Sequence, residues 1–401
     1  MNRTTFVISL LIFDLSLICS AEEKVIVQNP PVKTQLSRSE KMTPIALSDD
    51  NKYNDSTLYT TVGVDNSIDP KKLPRVRTQD GMPLCQTFCP TTLVEFKLCE
   101  ERKIEDCSTI PDEQRISPLS TLSYRDTEKP KDESVIGNIA TSGGKQAFQV
   151  MNTIASAAGS QIFYPESCLP FNEFVDKFKQ DESALNNYLE TINVLYNSSK
   201  TKFDTEASVE SCQDCLKLKE KLKLFLPQSD SLDEIATALK LKDFKSFMYS
   251  MVFRSQKKIN PTCKRIEFEK ILFARHFPGP TDKVISTLDQ VFEKMDDVLS
   301  KKKPVILSPL CVARKQFDKS CDYHCLVITG RKRVRHKITN DEVEVVRIHN
   351  SWGEKWQEEN NDGWVPLENL KSAMTTYDDQ NAEHPTSKRK IAYGYSISWF
   401  D

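Results

Sequence analysis

Apolar positions recur along this chain with different periods, and the switches between them divide it. A mostly apolar run over 6–18 follows Asn2 and Arg3 and precedes Cys19, Ser20, Ala21 and two glutamates. It is shorter than the ~20 residues of a membrane-crossing helix and carries Asp14, so it predicts a secretory signal peptide over 1–21 rather than a stable span. Lipidation at Cys19 is the lesser alternative. Residues 22–70 are polar, hold Pro30, Pro31 and Pro44, and show no sustained period, which predicts a flexible leader or short prosegment.

Helical spacing begins at 85–103, where Phe88, Leu93, Phe96 and Leu98 mark one face. Pro90 conflicts with a regular helix at a cost of ~3 kcal/mol, so the helix either starts late, near Cys89, or kinks. A second helix is predicted over 144–158 behind Gly143 and Gly144. Residues 171–265, rich in Lys, Glu, Asp, Leu and Phe, read as an α-helical insertion with little strand. An amphipathic helix over 282–303 leads into a buried strand at 304–307. Alternation then predicts strands at 323–329, 342–348, 363–365 and 391–399, with a basic, polar turn over 331–340. Trp352, Trp356, Trp364 and Trp399 all fall here, predicting a dense β core. The class is α+β.

With 401 residues, the chain is long enough for a sizeable core. Its 55 Lys+Arg and 57 Asp+Glu balance, so no basic field calls for nucleic acid. The 12 cysteines would become eleven on signal cleavage, an odd number. In an oxidising compartment an odd cysteine is reactive or intermolecular. Reserving Cys85 leaves enough for five bridges; Cys212 with Cys215 and Cys99 with Cys107 are local candidates. Cys212 and Cys215 also have half of a zinc-site spacing, but a bridge is the better reading, and no metal or cofactor is expected.

Four blocks carry chemistry in a definite order. Gln79 stands six residues before Cys85, with Phe88 three and Glu95 ten after it. Gly143 and Gly144 precede a helix and Tyr164–Pro165. His324 heads an apolar strand, and Asn350, Ser351, Trp352, Gly353 and Trp356 lead to Gly363, Trp364 and Val365. In this order and spacing the chain resembles the papain-like cysteine peptidase family. The resemblance covers roughly 71–170, a helical lobe with Cys85, and 266–401, a β-barrel-like lobe with His324 and Asn350; the insertion lies outside it.

The resemblance implies a Cys85 nucleophile, His324 as acid and base, Asn350 as orienter, Gln79 at the oxyanion, and Gly143, Gly144 and Trp352 along the substrate cleft. The residue types suit these roles, since a thiol near ~8.5 needs a helix N-terminus and an imidazole to become a thiolate, and an oxyanion needs donors. The expected protein is a secreted or periplasmic monomer acting on peptide or protein substrates. The chain has Leu84, Gln86 and Thr87 where the family has other types, predicting a more polar cleft wall. Two alternatives stay open: a catalytically inactive binding protein of the same fold, and another acyl-transfer enzyme of amidase or transglutaminase type. Cys89 is the second candidate nucleophile.

Overall fold

Alternation along the central strands sorts their side chains to two faces, and each face acquires its own helices. The computed structural model describes residues 42–44, 47–79, 84–122, 147–156, 161–172, 182–203, 212–222, 232–241, 264–270, 272–278, 288–315, 321–381 and 396–401, plus positions 176, 244 and 247. All belong to one compact unit, 42–401. The expected signal peptide, residues 22–41, 45 and 46 of the leader, and Gly143 and Gly144 lie outside the described residues.

In chain order the elements are β1 (Met42–Pro44), β2 (Tyr59–Val62), α1 (Cys85–Glu101), α2 (Pro118–Leu122), α3 (Ala147–Ser156), β3 (Ile162–Phe163), α4 (Glu182–Phe203), α5 (Gln213–Leu222) and α6 (Leu232–Leu239). There follow β4 (Ile266–Glu267), β5 (Ala274–Phe277), α7 (Leu288–Ser300), β6 (Val305–Lys315), β7 (Cys321–His336), β8 (Glu342–His349), α8 (Glu354–Glu359), β9 (Trp364–Pro366), α9 (Leu367–Asn381) and β10 (Ser396–Phe400). The class is mixed helix and antiparallel sheet. The main sheet has the order β5-β10-β6-β7-β8-β9, with β1 added to β6 and β2 to β7. A separate β3–β4 pair brackets the insertion.

Leu307, Leu326, Ile328, Val346 and Ile348 point to one face, where α7 and α9 cover them. Ile306, Cys325, Val327 and Phe400 point to the other, against Leu93, Val94 and Leu98 of α1 and Met151 and Ile154 of α3. Burying each such side chain contributes up to ~1.5–3 kcal/mol, so α1 is fixed chiefly by this face. Among the described residues the insertion holds helices only. Its core of Tyr188, Ile192, Tyr196, Ile235 and Phe247 is continuous with Leu84 and Phe88 beside the start of α1.

Three expectations are corrected. The leader is not flexible through 70: β1 and β2 pair with the sheet, and Tyr53 and Ile68 are buried. The turn is shorter than 331–340, because β7 runs on to His336. There Arg333 faces Glu344 and Arg335 faces Glu342 across the ladder, both as ion pairs, and Val334 is buried between them. Finally, α1 does not start late. It begins at Cys85, places Pro90 past its first turn, and keeps Thr91 bonded through Oγ1 to the Thr87 carbonyl at 2.8 Å.

Candidate active site

β7 delivers His324 by the same alternation. Cys325 is drawn to α1 by a disulfide with Cys89, so its neighbour His324 turns to the opposite face of the strand. There Asn350 follows the end of β8, diagonal to His324 across a register that pairs Val327 with His349. The His324 Nε2 to Asn350 Oδ1 distance is 2.8 Å. Asn350 Oδ1 also accepts the Ser351 backbone N–H at 2.8 Å, which fixes the orientation of the amide. Nε2 therefore donates, and Nδ1 is left as the basic nitrogen of the neutral ring.

Trp352 stacks on the imidazole, with ring centroids 4.7 Å apart and 23° between planes, and Trp356 meets Trp352 edge-on at 5.4 Å. His324 is 3 % exposed and Asn350 1 %. Burial pushes His324 down to about 4, partly opposed by the hydrogen bond to Asn350. His349, on the other side of the strand, is pushed down to about 3 by burial and then by Arg347, Arg115 and Arg77.

Gln79 is joined to the same segment. Its N–H donates to the Ser351 carbonyl at 2.8 Å, Thr78 bridges Trp352, and the Gly353 N–H donates to the Arg77 carbonyl at 3.1 Å. Gly353 has φ 93°, and a Cβ there would stand 3.3 Å from Thr78 Cβ, so glycine permits this close pairing. Ser351 Oγ donates to Gln79 Oε1 at 2.5 Å, which turns the amide NH2 to the other side as the donor.

Cys85 opens α1, where the helix dipole favours a thiolate, and it retains its thiol. One turn on, Cys89 is bonded to Cys325 with a Cα–Cα distance of 6.5 Å, next to His324 in sequence. The helix that Cys85 begins and the strand that carries His324 are thus linked covalently, and Cys85 packs with Cys325 and Val327 on the α1 face of the sheet. Cys89, being in a bridge, is not a second nucleophile. Cys99–Cys107 and Cys212–Cys215 are bridged as well, which removes the half zinc site, and Cys168 and Cys311 are also in disulfides. Gln86 does not form a polar cleft wall: it is fully buried, with Oε1 3.7 Å from Cys85 Sγ.

Sequence reasoning missed two supports. Gln357 Nε2 donates to the Ile348 carbonyl at 2.7 Å and its Oε1 accepts from the Asn350 N–H at 3.4 Å, bracing the turn that presents Asn350. Gly363 belongs to this brace, because a Cβ would strike the Ile348 carbonyl and the Gln357 amide. The second is an ion network two residues before Gln79. Arg77 donates to Glu95 at 2.7 Å and Glu166 at 2.6 Å, and Arg115 donates to Glu95 at 3.2 Å. Glu95 is 0 % exposed, and its ten-residue spacing from Cys85 was the one available signal.

The chain matches no family model and no curated protein. Its site therefore rests on its own geometry. Among the described residues no cluster of His, Cys, Asp and Glu is arranged to hold a metal ion, and no helix is long and apolar enough to cross a membrane.

Proposed function

We propose that the chain is a papain-like cysteine peptidase, with a helical lobe bearing Cys85, a β lobe bearing His324 and Asn350, and a helical insertion beside the first. The observation that carries this reading is the continuous chain of contacts from Trp352 over His324 to Asn350, Ser351 and Gln79, on the strand bridged to the helix that Cys85 begins.

In this reading the Cys85 thiol passes its proton to His324 Nδ1 and the thiolate attacks the peptide carbonyl carbon. The carbonyl electron pair moves onto oxygen, held by the Gln79 amide and the Cys85 N–H. As the C–N bond breaks, His324 protonates the leaving amine, and a thioester remains. His324 then takes a proton from water, whose oxygen attacks the thioester and releases acid and thiol. Asn350 holds the tautomer throughout, and Trp352 shields its bond from water. The bridges suit an oxidising compartment, in keeping with a secreted or periplasmic protein.

The decisive experiment compares purified mature wild type with Cys85→Ala and Cys89→Ala on a peptide library, with iodoacetamide labelling at pH 6. Peptidase activity and rapid labelling abolished in Cys85→Ala but retained, at a reduced rate, in Cys89→Ala support the reading. One observation favours the second reading, an inactive binding protein of the same fold: Cys85 is 2 % exposed. That reading expects no reactive thiol and unchanged function in Cys85→Ala. An amidase or transglutaminase would need the same residues and is separated by its products.

A further inference from the structure

A cavity of about 960 Å³ lies at the far end of α1, between the 65–72 loop, residues 96–104 and the β7–β9 edge of the sheet. Phe96, on its wall, is eleven residues along the helix from Cys85, a rise of ~16 Å, so this is not the peptide cleft. Its size falls within the range of small-molecule sites.

The walls are built rather than incidental. The loop is laid on β7 by Asn66 N–H to the Arg331 carbonyl at 3.0 Å and Ile68 N–H to the Thr329 carbonyl at 2.9 Å. Gly330 allows this approach, since a Cβ would stand 2.7 Å from Ser67 Cβ. Trp364 and Phe96 supply buried apolar faces.

Charge on the lining is unbalanced. Arg347 is paired with Asp362, and Glu100 with Lys97. Asp69 caps its own turn by accepting the Lys71 N–H. Lys302 donates to the Ser67 carbonyl at 2.9 Å and Lys72 to the Glu105 carbonyl at 3.2 Å, neither to a carboxylate. Asp65, whose charge acts on Lys332, accepts from the Ser67 N–H and hydroxyl. Lys332 Nζ sits 4.3 Å from the Trp364 ring centroid. Among the described residues, Lys72, Lys103, Lys302 and Lys332 form no salt bridge. A partly desolvated ammonium over an aromatic ring, with further lysines at the rim, suits a planar or alicyclic body carrying an acidic group.

We propose that this cavity binds a small organic anion, its ring against Trp364 and Phe96 and its carboxylate, sulfate or phosphate on Lys332 with Lys103 and Lys302. Burial holds the Lys332 ammonium below its ordinary range, so an anion there would also restore it. Such a site is independent of whether the chain is a peptidase.

The probe is 8-anilinonaphthalene-1-sulfonate, titrated into the full mature protein by fluorescence and by calorimetry. Saturable binding of one probe per chain is expected, weakened about tenfold or more in Lys332→Gln and in the exposed Lys103→Glu, each with a wild-type far-UV spectrum and melting temperature. Inorganic sulfate at the same concentration should not displace it. Multiple non-saturating sites, unchanged affinity in both variants, or displacement by equimolar sulfate would overturn the proposal.

Discussion

Replacing Glu95 with Gln probes the buried ion network most directly. The carboxylate is fully buried and accepts from Arg77 at 2.7 Å and Arg115 at 3.2 Å. Gln keeps the shape but removes the negative charge and sets an NH2 against a guanidinium. Arg77 keeps Glu166, whereas Arg115 keeps only the half-exposed Asp112 at 3.8 Å, so its buried side loses its partner. Two charge-assisted bonds at ~1.5–3 kcal/mol each and one broken buried pair at ~3–5 kcal/mol overlap at an expected loss of about 3–5 kcal/mol. With an m-value of ~3 kcal/mol per M, the urea midpoint should fall by ~1–1.7 M, followed by tryptophan fluorescence. Adding Arg115→Met restores charge balance and should recover a substantial part of the loss. A single-variant loss under ~1 kcal/mol, or a double variant no better than the sum of its parts, would show that the carboxylate does not hold the two guanidinium groups in this way.

Other outcomes follow from the same geometry. On the peptidase reading, Asn350→Ala should leave the fold intact and lower kcat by about 10²-fold with little change in KM, read on a peptide substrate, because only the imidazole's tautomer and aim are lost. In Cys85→Ala, where no thiolate can pair with it, His324 should stay neutral until about pH 4, followed by NMR of its ring carbons. The sign for stability follows. The folded His324 and His349 values lie below the unfolded ~6.5, so their stabilisation is full above pH 6.5 and is lost as pH falls towards 4 and 3, by up to ~1.4 kcal/mol per pH unit for each histidine. A pH series of urea midpoints checks this, and His349→Gln should flatten the slope. Removing the inter-element bridge with Cys89→Ala and Cys325→Ala should cost ~2–5 kcal/mol and reduce kcat more than it changes KM.

The sheet was legible where one face is apolar. Leu326, Val327 and Ile328 announce a central strand by composition alone, and the run over 342–348 does the same. The extension of β7 was not, because Arg331, Arg333 and Arg335 look like a polar turn until Glu342 and Glu344 are brought opposite them. Residues 59–62 show no apolar period since the strand is an edge addition held by backbone bonds to β7. His324, Asn350, Trp352 and Gln79 could be picked out because their spacings repeat a known order, and the structure brings these four into one contact chain. Ser351 was visible in that motif, but its bond to Gln79 was not, for it spans 272 positions. Gln86 is polar yet fully buried, a placement that residue type alone does not signal. The bridge from Cys89 to Cys325, 236 residues apart, had no local signal.

That bridge also sets a schedule. A chain that leaves the ribosome and crosses a membrane amino-end first presents Cys85 and Cys89 on one helical turn long before Cys325 arrives. Until then either thiol can be oxidised with the wrong partner, and the helix has neither its histidine nor its staple. On the peptidase reading, hydrolysis cannot begin on the nascent chain. On that reading, for an exported chain, the last strands to arrive complete the site that the first helix opens, and the order of synthesis itself delays the activity.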